Sequence, residues 1–260
     1  MNIVVTNDDG LHTRGIWKLA EALCQVGTVS VVAPDREQSG VGMGISFHHP
    51  VRVSEAISRI EGVKALLVEG TPADSVILAV QGLTPKPVDL VVSGINEGAN
   101  TGINVLVSGT VGAAFQAHLW DVPAIAISVA TIKDAIFEPA AKLAQILAGM
   151  FRDKVLSGPM LLNVNLPNVP LNEIDGVEIT RLARGRYENT LEKIETAKYD
   201  YYWVARGKAD WKVEEGTDIA AVRQRKISIT PLHIDMTSSV ATPLLNGFGK
   251  EIYQAFRGGL

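Results

Sequence analysis

The chain has a single cysteine, Cys24, so it can form no intramolecular disulfide, and the apolar, helix-like setting of Cys24 suits a packed thiol. A basic surplus is missing too: the formal net charge is −4, which argues against a nucleic-acid polymer as partner. No apolar run is long enough to span a bilayer, and Met1-Asn2-Ile3 runs into a strand-like segment without a basic leader or cleavage site. These absences lead to the expectation of a cytoplasmic protein with no membrane partner. Several catalytic signatures are also lacking. There is no Gly-x-Gly-x-x-Gly after the first strand and no Gly-x-x-x-x-Gly-Lys-Ser/Thr, which disfavours dinucleotide binding and P-loop NTPase chemistry. The histidines, His12, His48, His49, His118 and His233, include no pair at zincin spacing.

What is present is an ordinary globular composition, 260 residues with 47% hydrophobic and 20% charged, enough for one large α/β domain or a core with an appendage. Strand-like apolar runs at 2–6, 28–33, 63–68, 88–92, 124–129 and 161–165 alternate with helix-like segments at 15–25, 71–81, 111–119 and 138–151. Thr71 is placed to cap its helix, and Pro72 suits the first turn. The alternation predicts a mostly parallel sheet, doubly wound, with helices on both faces. Residues 45–53 form a less regular extended excursion. After about Gly176 the pattern changes: a strand at 177–182, a polar stretch at 185–198, an aromatic strand at 199–204, a strand at 227–232 and a C-terminal helix at 243–257. The expected division is a catalytic core, 1–176, and an arm, closing strand and terminal helix, 177–260. The aromatic strand suits either an arm packed on another subunit or a hairpin over its own core.

Asn7-Asp8-Asp9-Gly10 follows the first strand and precedes a helix. Open α/β sheets bind ligands at that edge. Adjacent carboxylates repel, and a hard divalent cation or a set of donors lets both ionise. A plain turn and helix cap would use the same residue types. Two more loops are expected beside it: Ser39-Gly40 after the second strand, and Ser93-Gly94-Ile95-Asn96 after residues 88–92. Singly, Ser39 and Asn96 are ordinary turn residues. Together with Asp8 and Asp9 they make an incomplete oxygen shell of the kind magnesium or manganese takes. Ser108-Gly109-Thr110 opens a helix of small residues, and free N–H groups at such a start bind phosphate.

These stretches resemble the stationary-phase survival protein SurE family, a group of metal-dependent nucleotidases. The resemblance is carried by Thr6-Asn7-Asp8-Asp9-Gly10, by residues 33–40, by Gly70-Thr71-Pro72-Ala73-Asp74, by residues 92–100 and by residues 108–114, in family order. It continues through Tyr202-Trp203, Gly216-Thr217-Asp218 and Ser228-Ile229-Thr230-Pro231-Leu232. The chain departs from the family pattern at Asn104, Val107 and Ser239, where many or some members carry Asp, Tyr and His.

The resemblance implies one divalent cation per subunit, magnesium or manganese, held by Asp8, Asp9, Ser39 and Asn96. It implies hydrolysis of nucleoside 5′-monophosphates, with 3′-monophosphates and short polyphosphate as further candidates. Asn7, Gly40, Ser108, Gly109 and Thr110 are the candidate phosphate and substrate contacts. Asp8 and Asp9 are the candidate catalytic groups, either through water or by forming an aspartyl-phosphate, with Asp235 as a helper. A Rossmann-like core, an extended arm and a C-terminal segment exchanged in a homodimer or tetramer are implied too. The competing reading is a catalytically weakened, nucleotide-binding regulatory protein.

Overall fold

The structure, a computed structural model, describes residues 1–187, 190–196, 198–205, 209–211 and 213–258. Strands β1 (Asn2–Thr6), β2 (Thr28–Pro34), β3 (Val53–Glu55), β4 (Lys64–Val68), β5 (Leu90–Glu97), β6 (Ala124–Ala130), β7 (Leu161–Pro167), β8 (Val177–Ile179) and β13 (Ile227–Leu232) form one sheet, ordered β3-β4-β2-β1-β5-β6-β7-β13-β8. The run β4-β2-β1-β5-β6-β7 is parallel throughout. Its order reverses at β1, so the carboxyl ends of β1 and β5 flank a crevice where such folds take ligands. Antiparallel β3 and β13 close the two sides.

Helices α1 (Arg14–Leu23) and α4 (Glu138–Arg152) cover one face, and α2 (Pro72–Leu78) and α3 (Gly109–His118) the other. The split follows from the strands' period of two. Ile3, Val5 and Val92 face Ile16, Leu19 and Leu147, whereas Val4 and Val91 face Val111, Ala114 and Phe115. Each fully buried aliphatic side chain contributes about 1.5–3 kcal/mol relative to exposure. The cap of α2 is as expected and does more. Thr71 Oγ1 accepts from Asp74 N at 3.0 Å and donates to Gly44 O at 2.7 Å, while Asp74 accepts from Ser46 N and Ser46 Oγ at 2.9 and 2.8 Å. One helix start therefore also seats the 44–46 loop.

Two elements differ from expectation. β5 runs to Glu97 instead of ending at 92, because pairing with β6 resumes beyond a bulge: Ser93 faces Ala126, then Asn96 faces Ser128. A Cβ at Gly94 would lie 2.3 Å from Ile127 O, so only glycine fits the bulge. The stretch at 45–53 is irregular as expected, with β3 beginning at Val53. The terminal helix is two, α6 (Ala241–Asn246) and α7 (Gly249–Gly258), split where Gly247 and Gly249 disfavour helix.

The 185–198 stretch and the aromatic strand belong to an arm. β10 (Thr190–Glu195) pairs antiparallel with β11 (Asp200–Ala205), and β9 (Gly185–Tyr187) with β12 (Ala209–Trp211). Positions 188, 189 and 197 of that stretch lie outside the described residues. Tyr201, Tyr202 and Trp203 stay exposed, so the hairpin does not fold over its own core. Beyond the arm, α5 (Asp218–Arg223) and β13 return the chain to the main sheet. Among the described residues no helix is long and apolar enough to cross a membrane.

Candidate active site

The turn after β1 is tied by Asn7. Its amide accepts from Gly10 N at 3.2 Å and donates to Gly10 O at 3.0 Å and Thr13 Oγ1 at 3.1 Å. Asn7, a candidate substrate contact, thus uses its side-chain amide to shape the turn. Gly10 sits at φ +95°, with Arg36 backbone 3.2 Å from where a Cβ would be, so the turn can lie against the 34–40 loop. Leu11 N donates to Pro34 O and Gln38 N to Asp8 O, at 2.9 and 2.7 Å, which draws that loop onto the aspartates.

Asp8 is 4% exposed. Thr110 Oγ1 donates to its Oδ1 at 2.5 Å. Burial raises the Asp8 carboxyl above the ordinary range, while the Thr110 hydroxyl and the Thr110 and Gly109 backbone amides pull the other way. The start of α3 therefore points at Asp8. Ser108 caps this helix, its Oγ accepting from Val111 N at 3.2 Å. Gly109 permits the approach: a Cβ there would lie 2.7 Å from Asp8 Cβ and 3.1 Å from Gln38 O.

Asp9 is half-buried, and its carboxyl is pushed up to about 7, first by burial and then by Asp8, Glu37 and Glu97; the Glu97 backbone amide opposes the rise. Asn96 is 8% exposed and spends its amide nitrogen on Gly98 O at 2.7 Å, leaving the oxygen end outside that bond. It lies on the bulged end of β5, where the expectation was a loop. Ser39 is exposed and turns its hydroxyl to Glu37 Oε1 at 2.9 Å, and Gly40 follows at φ +82°.

The structure thus gathers Asp8, Asp9, Asn96, the 37–40 loop and the 108–110 turn. It does not bring Asp235 to them. β13 runs antiparallel to β7, with Leu232 opposite Leu161, so the chain leaves β13 at the amino edge of the parallel strands. Asp235 there accepts from Thr237 N at 2.8 Å and lines a groove of about 410 Å³ with Leu106, Phe115 and Leu232. Glu37 and Glu97 are the acidic residues that inspection of the sequence left without a role. Each adjoins an expected donor loop, and that adjacency was their only signal.

The arrangement fits a hard divalent cation. Asp9 lies within the field of three other carboxylates, and the excess negative charge is what a cation offsets. Thr6 Oγ1 and Ser93 Oγ, buried register partners just below, have no hydrogen-bond partner among the described residues. Among the described residues no cluster of three or more His, Cys, Asp or Glu at ligating distance occurs. That is compatible with the repulsion at Asp9, since charge acts over several ångströms and ligation over about 2 Å. The expected shell mixes two carboxylates with a hydroxyl and an amide.

Fold and site together define a doubly wound α/β protein with an acidic site, flanked by a helix N-terminus, at the carboxyl edge of its sheet. Comparison with known proteins agrees at the level of sequence. The family model described as Survival protein SurE matches residues 3–189. A curated relative from Geobacter sulfurreducens, named 5'-nucleotidase SurE, is 43% identical over 95% of this chain and 94% of its own length. Another so named, from Moorella thermoacetica, is 45% identical over 92% of each chain. The crystal structure of the SurE protein from Aquifex aeolicus superposes with a TM-score of 0.81 at 35% identity, covering 95% of this chain and 99% of that one. The chain belongs to the survival protein SurE family.

Proposed function

We propose that this protein is a metal-dependent phosphomonoesterase of the cytoplasm that hydrolyses nucleoside 5′-monophosphates to nucleoside and phosphate. Its curated relatives carry the name 5'-nucleotidase over nearly their whole length, which supports the reaction class. The observation that carries the site is Asp8 held against the start of α3, with Asp9 beside it within the field of Asp8, Glu37 and Glu97. In this reading Asp8, Asp9, Ser39 and Asn96 hold magnesium or manganese. When bound, the cation draws charge from the phosphoryl oxygens and makes water a stronger acid.

The chain's own residues supply the rest. Thr110 and the Gly109 amide fix Asp8, so its carboxylate needs little reorganisation during reaction. Ser108 holds the first turn of α3 with its positive end toward the site, where phosphoryl oxygens gain from it. Gly40 gives the 37–42 loop a backbone that can approach substrate closely. Phosphate release from a panel of nucleoside 5′- and 3′-monophosphates, with added manganese, is expected to fall at least ~100-fold on chelation, as loss of several kcal/mol of charge stabilisation implies. Tight nucleotide binding without release would replace this reading with the regulatory one.

The proposal includes a homodimer, or a tetramer built from it, with residues 177–260 as the associating part beyond a 1–176 core. Support comes from the exposed Tyr201, Tyr202 and Trp203 of the arm and the exposed Leu244, Phe248, Ile252 and Phe256 of α6, α7 and the turn between them. Apolar surface of this kind is usually covered. Light scattering of the full chain is expected to give at least twice the 27.9 kDa chain mass, and a monomer would remove this part.

A further inference from the structure

On the α3 side of β6 and β7, Ser128, Asn163 and Asn165 meet an irregular segment, residues 98–101. Backbone groups buried without a ladder need side-chain partners. Asn100 obtains them. Its N–H donates to Asn165 Oδ1 at 2.8 Å, and its carbonyl accepts from Asn163 Nδ2 at 2.7 Å and Asn165 Nδ2 at 3.1 Å. Its side chain donates to Ser128 Oγ at 3.0 Å. Ser128, Asn163 and Asn165 are fully buried. Asn163 and Asn165 alternate with Leu162, Val164 and Leu166, which pack on the opposite core, so the strand carries asparagine at the alternate positions that meet this segment.

This cluster has a direct line to the site. Gly98 lies two residues before Asn100, is pinned by its N–H to Val129 O at 3.0 Å, and its carbonyl takes the Asn96 amide nitrogen at 2.7 Å. That last bond decides which end of the Asn96 amide points away. Asn96, Ser128 and Asn165 also share one row across β5, β6 and β7. We propose that Asn100, Ser128, Asn163 and Asn165 are positioning residues that set the oxygen of Asn96 toward the cation, by fixing the 98–101 segment to which its nitrogen is bound. The proposal rests on the reading of Asn96 as a cation ligand. Apolar residues would cover the core equally well; what they would not do is bind both backbone groups of Asn100, two residues beyond Gly98.

The test is manganese binding by calorimetry on the full chain, independent of turnover. Asn165→Ala should weaken manganese about 10-fold or more, in the range typical when a group orienting a ligand is lost. Leu166→Ala, next along β7 but facing the other core, should destabilise the fold while leaving manganese affinity within about twofold of the parent, the scatter expected for a distant independent site. Should Asn165→Ala fail to fold, Ser128→Ala removes one bond only and should weaken manganese about threefold, a loss within the usual range for one hydrogen bond. Parent-like affinity in a folded Asn165→Ala or in Ser128→Ala, or an equal loss in Leu166→Ala, overturns the proposal. Asn96→Ala separates the two layers. If it weakens manganese and Asn165→Ala does not, the positioning role alone fails; if it leaves manganese unchanged, the ligand reading of Asn96 fails and takes the proposal with it.

Discussion

Asp9→Asn is expected to lower kcat/KM for nucleoside monophosphate hydrolysis by about 10²–10³-fold while making the metal-free protein more stable. The loss follows from removing one of the two carboxylates proposed to hold the cation, a contribution of several kcal/mol to charge stabilisation. The gain has the opposite cause. Without a cation, Asp9 is pushed up to about 7 by burial and by Asp8, Glu37 and Glu97. The folded chain keeps that proton to about pH 7, whereas the unfolded chain sheds it near the ordinary 3.8. Between those values the folded state binds the extra proton. Its stability is therefore greatest at the acid end, declines as pH rises, and levels off above about 7. An amide in the same place has no proton to lose, so the melting temperature of metal-free Asp9→Asn should decline less steeply, keeping only the share of the other raised carboxyls such as Asp8. Cation binding requires the carboxylate, so parent affinity for manganese should drop by up to about tenfold per pH unit below about 7. Melting curves and manganese titrations across that window check both signs. Unchanged activity in Asp9→Asn, or an identical pH trend in the two metal-free proteins, would defeat the account of this residue.

Much of this site could be read along the chain, for a physical reason. Carboxylates at the end of the first strand of an alternating β/α pattern have one place to go, the carboxyl edge, and loops after neighbouring parallel strands go there too. Asp8, Asp9, Asn96 and the Ser39 loop were legible on that ground. Bonds between distant segments were not. Thr110 and Asp8 are 102 positions apart, and nothing local to either specifies their bond. The Gly94 bulge was hidden because it depends on how β5 registers against β6. Asn163 and Asn165 read as polar interruptions in a strand, since their role requires knowing that a loop roofs them. Asp235 was grouped with the site through family likeness, and the direction of β13, which carries it away within one chain, is set by pairing with β7. The break between α6 and α7, within the single helix expected at 243–257, falls at Gly247 and Gly249.

Gly109→Ala is expected to cost about 10²-fold in kcat and about 1–3 kcal/mol in stability, by displacing Asp8 rather than by altering the helix. No unusual backbone angle makes glycine necessary at 109; the demand is for space. A methyl group there would meet Asp8 Cβ at 2.7 Å, Asp8 Oδ2 at 3.0 Å and Gln38 O at 3.1 Å. Either Asp8 moves out or the start of α3 moves back, and both lengthen the Thr110–Asp8 bond and separate the carboxylate from the Gly109 and Thr110 amides. A shift approaching 1 Å at a proposed cation ligand accounts for the expected loss. Gly149 is the internal control. It lies inside α4 with nothing within 4 Å of an added Cβ, so Gly149→Ala should stabilise by up to about 1 kcal/mol and leave kcat alone. The pair distinguishes a local effect on Asp8 from a general response to adding a methyl group. Parent-like kcat in Gly109→Ala would show that α3 does not hold Asp8 in its working position. A loss in Gly149→Ala as large as in Gly109→Ala would show that turnover tracks global packing instead.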